Sequence, residues 1–158
     1  QLFRSINKFK GLNYRQEIIY KKNKLLIIND SKSTSYSSSK ELLEMYENIH
    51  WLIGGIPKKD DKLLLSKKYF KNIKIYVFGK KFKKFSKDLR KKAELKRFKN
   101  LNLALLAIFK NIHIKKHSNN TILFSPASAS FDSFKNFEER GLYFNKLIKK
   151  HLDERKII

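Results

Sequence analysis

A chain of 158 residues, 41% hydrophobic and 13% aromatic, can bury a core of single-domain size, which excludes wholesale disorder. It has no cysteine, so disulfides, thiolate metal sites and a cysteine nucleophile are excluded together. Lys and Arg number 37 against 14 Asp and Glu, a formal net charge of +23, whose field attracts phosphates, nucleic acids and anionic membranes.

Residues 1–12 read as a lead-in from a preceding domain, and residues 13–158 as the domain itself. The chain opens at Gln1, which points to a segment of a longer protein. Gln16–Lys21 and Leu25–Ile28 are predicted strands around a polar turn at Lys22, Asn23 and Lys24. A serine-rich loop leads to a helix over Ser38–Tyr46, whose Ser38 and Glu41 have capping-box spacing. Ile49–Ile53 is a strand closed by Gly54-Gly55, Lys62–Phe70 a helix, and Ile73–Phe78 a strand ending at Gly79.

Lys80–Arg90 is a basic helix in which Phe82 and Phe85 mark a buried edge beneath a solvated cationic face. The cations of the whole chain are 31 Lys and only 6 Arg, beside 17 Ile, 13 Asn and 13 Phe. A/T-rich codons produce that mixture, whereas phosphate-reading surfaces favour the planar Arg fork. A solvated face is therefore expected. A basic nucleic-acid-binding module is the alternative from another class, and it predicts tight binding with a steep salt dependence.

Glu94–Phe98 is a weak strand, Leu101–Ile112 a helix, and Thr121–Phe124 a short buried strand. Phe134–Glu154 is a long terminal helix with Gly141 as a weak point and Asp132 or Ser133 as its cap. Strands alternating with helices predict an α/β domain with a mainly parallel sheet of about six strands, flanked by helices in three layers. No apolar run approaches the roughly 20 residues of a bilayer span, so a cytoplasmic setting without membrane contact is expected.

In such a sheet, ligands bind beyond the carboxyl ends of the strands. Three polar clusters fall there: Asn29 to Thr34, Gly54 to Lys58, and Ser125 to Asp132. They supply hydroxyls, two lysines and a helix N-terminus, the groups a small dicarboxylate or phosphate ligand requires. Each has a plainer reading, with Asp30 capping a turn and Gly54-Gly55 forming one. There is no G-x-x-x-x-G-K-[ST], G-x-G-x-x-G or H-E-x-x-H motif. His50, His113, His117 and His151 read as solvated or structural, and no metal site is expected. Without a phosphate-cradling loop, this chain alone is not expected to turn over ATP.

The clusters carry a resemblance. Asn29-Asp30-Ser31-Lys32-Ser33-Thr34 resembles the NDSKAT segment of the Mur ligases that add D-glutamate to UDP-N-acetylmuramoyl-L-alanine. Leu52 to Lys58 looks like the family's LGG-x-x-K. Ser125 to Gly141, SPASASFDSFKNFEERG, is similar to its C-terminal signature. Gly11-Leu12-Asn13-Tyr14-Arg15 resembles the GLPHR that opens the C-terminal domain.

The resemblance implies a Rossmann-like amino-acid-binding domain, the third of three. Its substrates would be D-glutamate, ATP and UDP-N-acetylmuramoyl-L-alanine. ATP and Mg2+ would be held mainly by a central domain, with an N-terminal domain for the UDP-sugar, in a monomer without a specific nucleic-acid partner. ATP would convert the L-alanine carboxylate to an acyl phosphate, which the D-glutamate amine attacks. Carried over position by position, Thr34, Lys58, Ser130, Phe131 and Phe137 would line the D-glutamate site. Arg15, Asp30 and Lys32 would face the nucleotide. No residue of this domain alone would be catalytic.

The chain departs from the pattern at Tyr14, Ser33, Ser35, Ile56-Pro57 and Ser128, which puts loop conformation in question near Lys58. The D-N-P-R motif of the lysine- and diaminopimelate-adding relatives is absent, which favours D-glutamate. A Mur or folylpolyglutamate-type ligase for another amino acid is the alternative within the family.

Overall fold

A computed structural model describes residues 12–112 and 119–154; the expected lead-in lies outside them except for Leu12, as do His113 and His117. Glu17–Lys22 (β1) and Leu25–Asn29 (β2) form an antiparallel hairpin. Its turn residues Asn23 and Lys24 have φ of 51° and 63°, and two consecutive left-handed residues give a tight turn whose twist matches the strands.

Then come Tyr36–Met45 (α1), Ile49–Gly54 (β3), Lys67–Phe70 (α2), Ile73–Phe78 (β4), Phe82–Leu89 (α3) and Glu94–Phe98 (β5). Leu101–Asn111 (α4), Asn120–Phe124 (β6) and Phe137–Glu154 (α5) complete the chain order. The sheet runs β1-β2-β6-β3-β4-β5, with every pairing after the hairpin parallel. This is the α/β class the sequence predicts. Because β6 inserts between β2 and β3, the carboxyl ends of three strands distant in sequence lie side by side.

Alternation along the strands divides the core between the two faces. Ile28, Trp51, Ile53, Ile75, Val77 and Leu123 meet Tyr36, Leu42 and Leu43 of α1, Phe70 of α2, and Phe85 and Leu89 of α3. On the other face Ile27, Leu52, Tyr76, Ile122 and Phe124 meet Leu101, Leu105 and Ile108 of α4 with Phe144, Leu147 and Ile148 of α5. Every residue of β3 is buried, as a strand covered on both faces requires. The basic helix α3 buries Phe85 and Leu89 and exposes Lys83, Lys84 and Lys87.

Four expectations are corrected. Only Lys67–Phe70 of the predicted Lys62–Phe70 helix is helical. Leu63 and Leu65 are buried while Leu64 is 77% exposed, a two-residue alternation that belongs to extended chain. Helix α1 begins at Tyr36, not Ser38: the Ser35 hydroxyl accepts from Ser38 N at 3.3 Å, and Asp61 accepts from Tyr36 N at 2.7 Å. Helix α5 begins at Phe137, with Asn136 Oδ1 accepting from Glu139 N at 2.8 Å; Ser133 N and Phe134 N instead donate to the Ser130 carbonyl.

Gly141 is no weak point but a point of close approach. A Cβ there would run into Ser31 Oγ and the Tyr14 ring, and its carbonyl accepts from Asn29 Nδ2 at 3.0 Å. His50 and His151 are structural. His50 Nδ1 lies 3.0 Å from the Tyr76 hydroxyl, and burial pushes its imidazole down to about 4, so it is neutral in the core. His151 Nε2 meets Asn102 Oδ1 at 3.2 Å. Among the described residues, no helix is long and apolar enough to cross a membrane.

Candidate functional site at the carboxyl edge

Beyond the ends of β2, β6 and β3, three loops are joined into one edge. Asp30, the first residue past β2, donates its backbone N–H to the Phe124 carbonyl at 2.7 Å. Its carboxylate accepts from Gln16 N at 3.1 Å and from the Ser125 hydroxyl at 2.7 Å. The Ser125 and Ser39 hydroxyls are 2.7 Å apart, and Ser39 and Ser33 2.9 Å apart, a chain of hydroxyls running from the carboxylate into α1. Trp51 Nε1 donates to the Ser125 carbonyl at 2.7 Å and fixes the same loop from beneath.

The third loop is held from both sides. Ile56 and Ala129 exchange two backbone hydrogen bonds, at 2.9 and 3.0 Å, and the Ser128 hydroxyl donates to the Gly54 carbonyl at 2.6 Å. Pro57 follows the bridging residue, where no further ladder N–H is needed, so the proline in this loop is accommodated. Lys84 Nζ then reaches the Pro57 and Lys58 carbonyls at 3.3 and 2.9 Å.

Beneath the loops lies Arg140, 1% exposed, which sequence reasoning did not single out. The only signal for it was its place within the signature of a chain poor in arginine. Its guanidinium donates to the Ser31 carbonyl at 2.7 Å and, through both terminal nitrogens, to the Ser128 carbonyl at 3.0 Å. Burial pulls its pKa down to about 10, against the opposing fields of Asp132 and Asp30, so it is cationic at neutral pH.

Arg15, Asp30 and Lys32 line one cavity of about 340 Å³ together with Ser33 and Glu41. Lys32 also lines a neighbouring cavity of about 490 Å³ with Tyr14 and Phe137. Its ammonium sits 5.5 Å from the centre of the Phe137 ring, a cation–π contact. The Phe137 carbonyl accepts from Ser31 Oγ at 3.1 Å. Thr34, Lys58, Ser130 and Phe131 line neither cavity. They sit on the three joined loops, Thr34 half-buried, Lys58 exposed, Ser130 buried and Phe131 72% exposed.

The departures from the family pattern are hydrogen-bonded into this edge. Ser33 belongs to the hydroxyl chain, Ser35 caps α1, Ser128 holds Gly54, and the Tyr14 ring lies against Gly141.

Burial raises Asp30 from the usual carboxylate range to about 6, opposed by the Ser125 hydroxyl, the Gln16 N–H and the charges of Arg15 and Arg140. The folded protein therefore binds more protons than the unfolded chain between about pH 4 and pH 6, and stability falls as pH rises through that window. Asp30→Asn removes the titration. Wild-type stability relative to this variant is expected to fall by up to about 3 kcal/mol across the window, two pKa units at about 1.4 kcal/mol each. Denaturant unfolding of both chains at pH 4 and pH 7 measures it, and a constant difference would refute the assignment.

The fold and this edge define the class: a three-layer α/β domain of the kind that binds ligands beyond its parallel strand ends. No protein-family model matches the chain. It is 38% identical over 94% of its length to a UDP-N-acetylmuramoylalanine–D-glutamate ligase of Wolbachia sp. subsp. Brugia malayi. Likewise it is 36% identical over 92% to that of Wolbachia pipientis wMel, and 35% over 98% to that of Rickettsia felis. The chain belongs to this Mur ligase family, and it spans 28–34% of the length of these three relatives.

Proposed function

We propose that this chain is the C-terminal, amino-acid-binding domain of an ATP-dependent ligase that joins D-glutamate to UDP-N-acetylmuramoyl-L-alanine in cytoplasmic cell-wall precursor synthesis. The observation that carries the reading is near-full-length kinship with ligases of that one name. The joining of all three motif loops at one edge supports it. Residues 13–158 form the domain and residues 1–12 lead into it from the central domain of a monomeric enzyme.

In the reaction, phosphoryl transfer makes an acyl phosphate of the L-alanine carboxylate. The D-glutamate amine then attacks that carbonyl, phosphate leaves, and an amide results. This domain's share is orientation, which can supply several kcal/mol of the barrier by holding the amine near the activated carbonyl. Lys58 pairs with a substrate carboxylate, Thr34 and Ser130 donate hydrogen bonds, and Phe131 and Phe137 wall the site. Arg15, Asp30 and Lys32 face the nucleotide, whose anionic phosphates suit the two cations. Closure of the domain over the acyl phosphate keeps water from hydrolysing it. By the same kinship, ATP and Mg2+ are assigned mainly to the central domain of the enzyme.

The test is ADP release by the intact ligase with UDP-N-acetylmuramoyl-L-alanine and one amine acceptor at a time. D-Glutamate is expected to drive turnover, whereas L-lysine, meso-diaminopimelate and L-glutamate leave it at background. Turnover driven by another acceptor instead would replace this specificity.

A further inference from the structure

Burying a guanidinium is unfavourable unless its donors are met, and Arg140 Nε is buried with no hydrogen-bond partner among the described residues. An apolar side chain would fill the same space without that penalty, so packing alone does not explain an arginine here. Its bonds do. The fork reaches the Ser31 carbonyl on the loop after β2 and the Ser128 carbonyl on the loop after β6. On the third loop, a Cβ at Gly55 would lie 3.2 Å from Nη1, so that glycine packs directly on the guanidinium. Every substrate-binding loop thus rests on one cation.

The spacing gives this consequence. Thr34 lies three residues beyond Ser31, Ser130 two beyond Ser128, and Lys58 three beyond Gly55. With Arg140 itself 1% exposed, it does not reach the ligand. We propose that Arg140 is a positioning residue, a clasp that sets Thr34, Lys58 and Ser130 in the mutual arrangement that receives the amino-acid substrate; the inference rests on the ligase reading above. The acidic groups facing the guanidinium are Asp30 at the end of β2 and Asp132 on the loop before α5.

Arg140→Lys in the intact ligase tests it, because it keeps the charge and removes the fork that reaches two loops at once. The KM for D-glutamate is expected to rise about tenfold or more, the effect of losing one charge-assisted hydrogen bond, with the KM for ATP changed less than about twofold. Amide hydrogen exchange should quicken at residues 31–34 and 128–131. Arg140→Gln, which loses the charge as well, should raise the KM for D-glutamate at least as far.

An equal rise in KM for D-glutamate and ATP would overturn the proposal, as would a lower Tm with an unchanged KM for D-glutamate. Should wild-type enzyme fail to use D-glutamate at all, the ligase reading falls on that control alone. The exchange measurement then decides the clasp by itself: unchanged exchange at both loops in Arg140→Lys refutes it.

Discussion

Gly55→Ala is expected to lower the stability of the chain by about 2–5 kcal/mol, combining backbone strain with overpacking. Gly55 has φ of +122°, a conformation side chains rarely adopt. A Cβ there would also collide with the Ala129 carbonyl and the Ser128 hydroxyl, and it would crowd Arg140 Nη1. Two of those contacts lie on the loop after β6, which has little room to retreat because Ser128 holds Gly54 and Ala129 is bridged to Ile56. Denaturant unfolding measures the loss, and a change below about 0.5 kcal/mol, the size of an ordinary surface substitution, would show that this turn relaxes freely.

Lys58→Ala should act on a different quantity. In the intact ligase it is expected to raise the KM for D-glutamate about 10- to 100-fold, since a charge-assisted hydrogen bond contributes about 1.5–3 kcal/mol and 1.4 kcal/mol is a factor of ten. Lys58 is exposed, and its loop is held through backbone carbonyls by Lys84, so truncating the side chain should leave stability within about 0.5 kcal/mol. The KM for ATP should move less than about twofold. Equal shifts for D-glutamate and ATP would remove Lys58 from the carboxylate-binding role.

The two substitutions separate architecture from recognition. One strains a junction between loops; the other removes a charge those loops carry. The basic surface around Lys58 belongs to neither. In α3 the buried Phe85 and Leu89 account for the helix, and Lys84 serves its neighbour loop as a donor.

Elements whose neighbours are local could be read directly. Short runs rich in Ile and Leu and the polar turn at Lys22, Asn23 and Lys24 located all six strands to within a residue at each end, with Lys22 itself closing β1. The helices were less legible where capping is tertiary. Asp61, 25 positions away, accepts from the first N–H of α1, and within a run of serines local spacing does not single out Ser35 from Ser38 as the cap. Leu63 to Leu65 has the composition of a helix, but the space beneath it admits only alternate side chains.

Chain order and side-chain chemistry were therefore enough to determine the α/β class, the three polar clusters at strand ends and the kinship those clusters carry. Tertiary structure decided how the clusters meet. The insertion of β6 between β2 and β3 sets their ends side by side, a matter of strand order that no local pattern encodes. It also decided the state of the groups between them: burial raises Asp30 and lowers Arg140, which still stays charged beneath the loops, because desolvation depends on what the rest of the chain places around a residue.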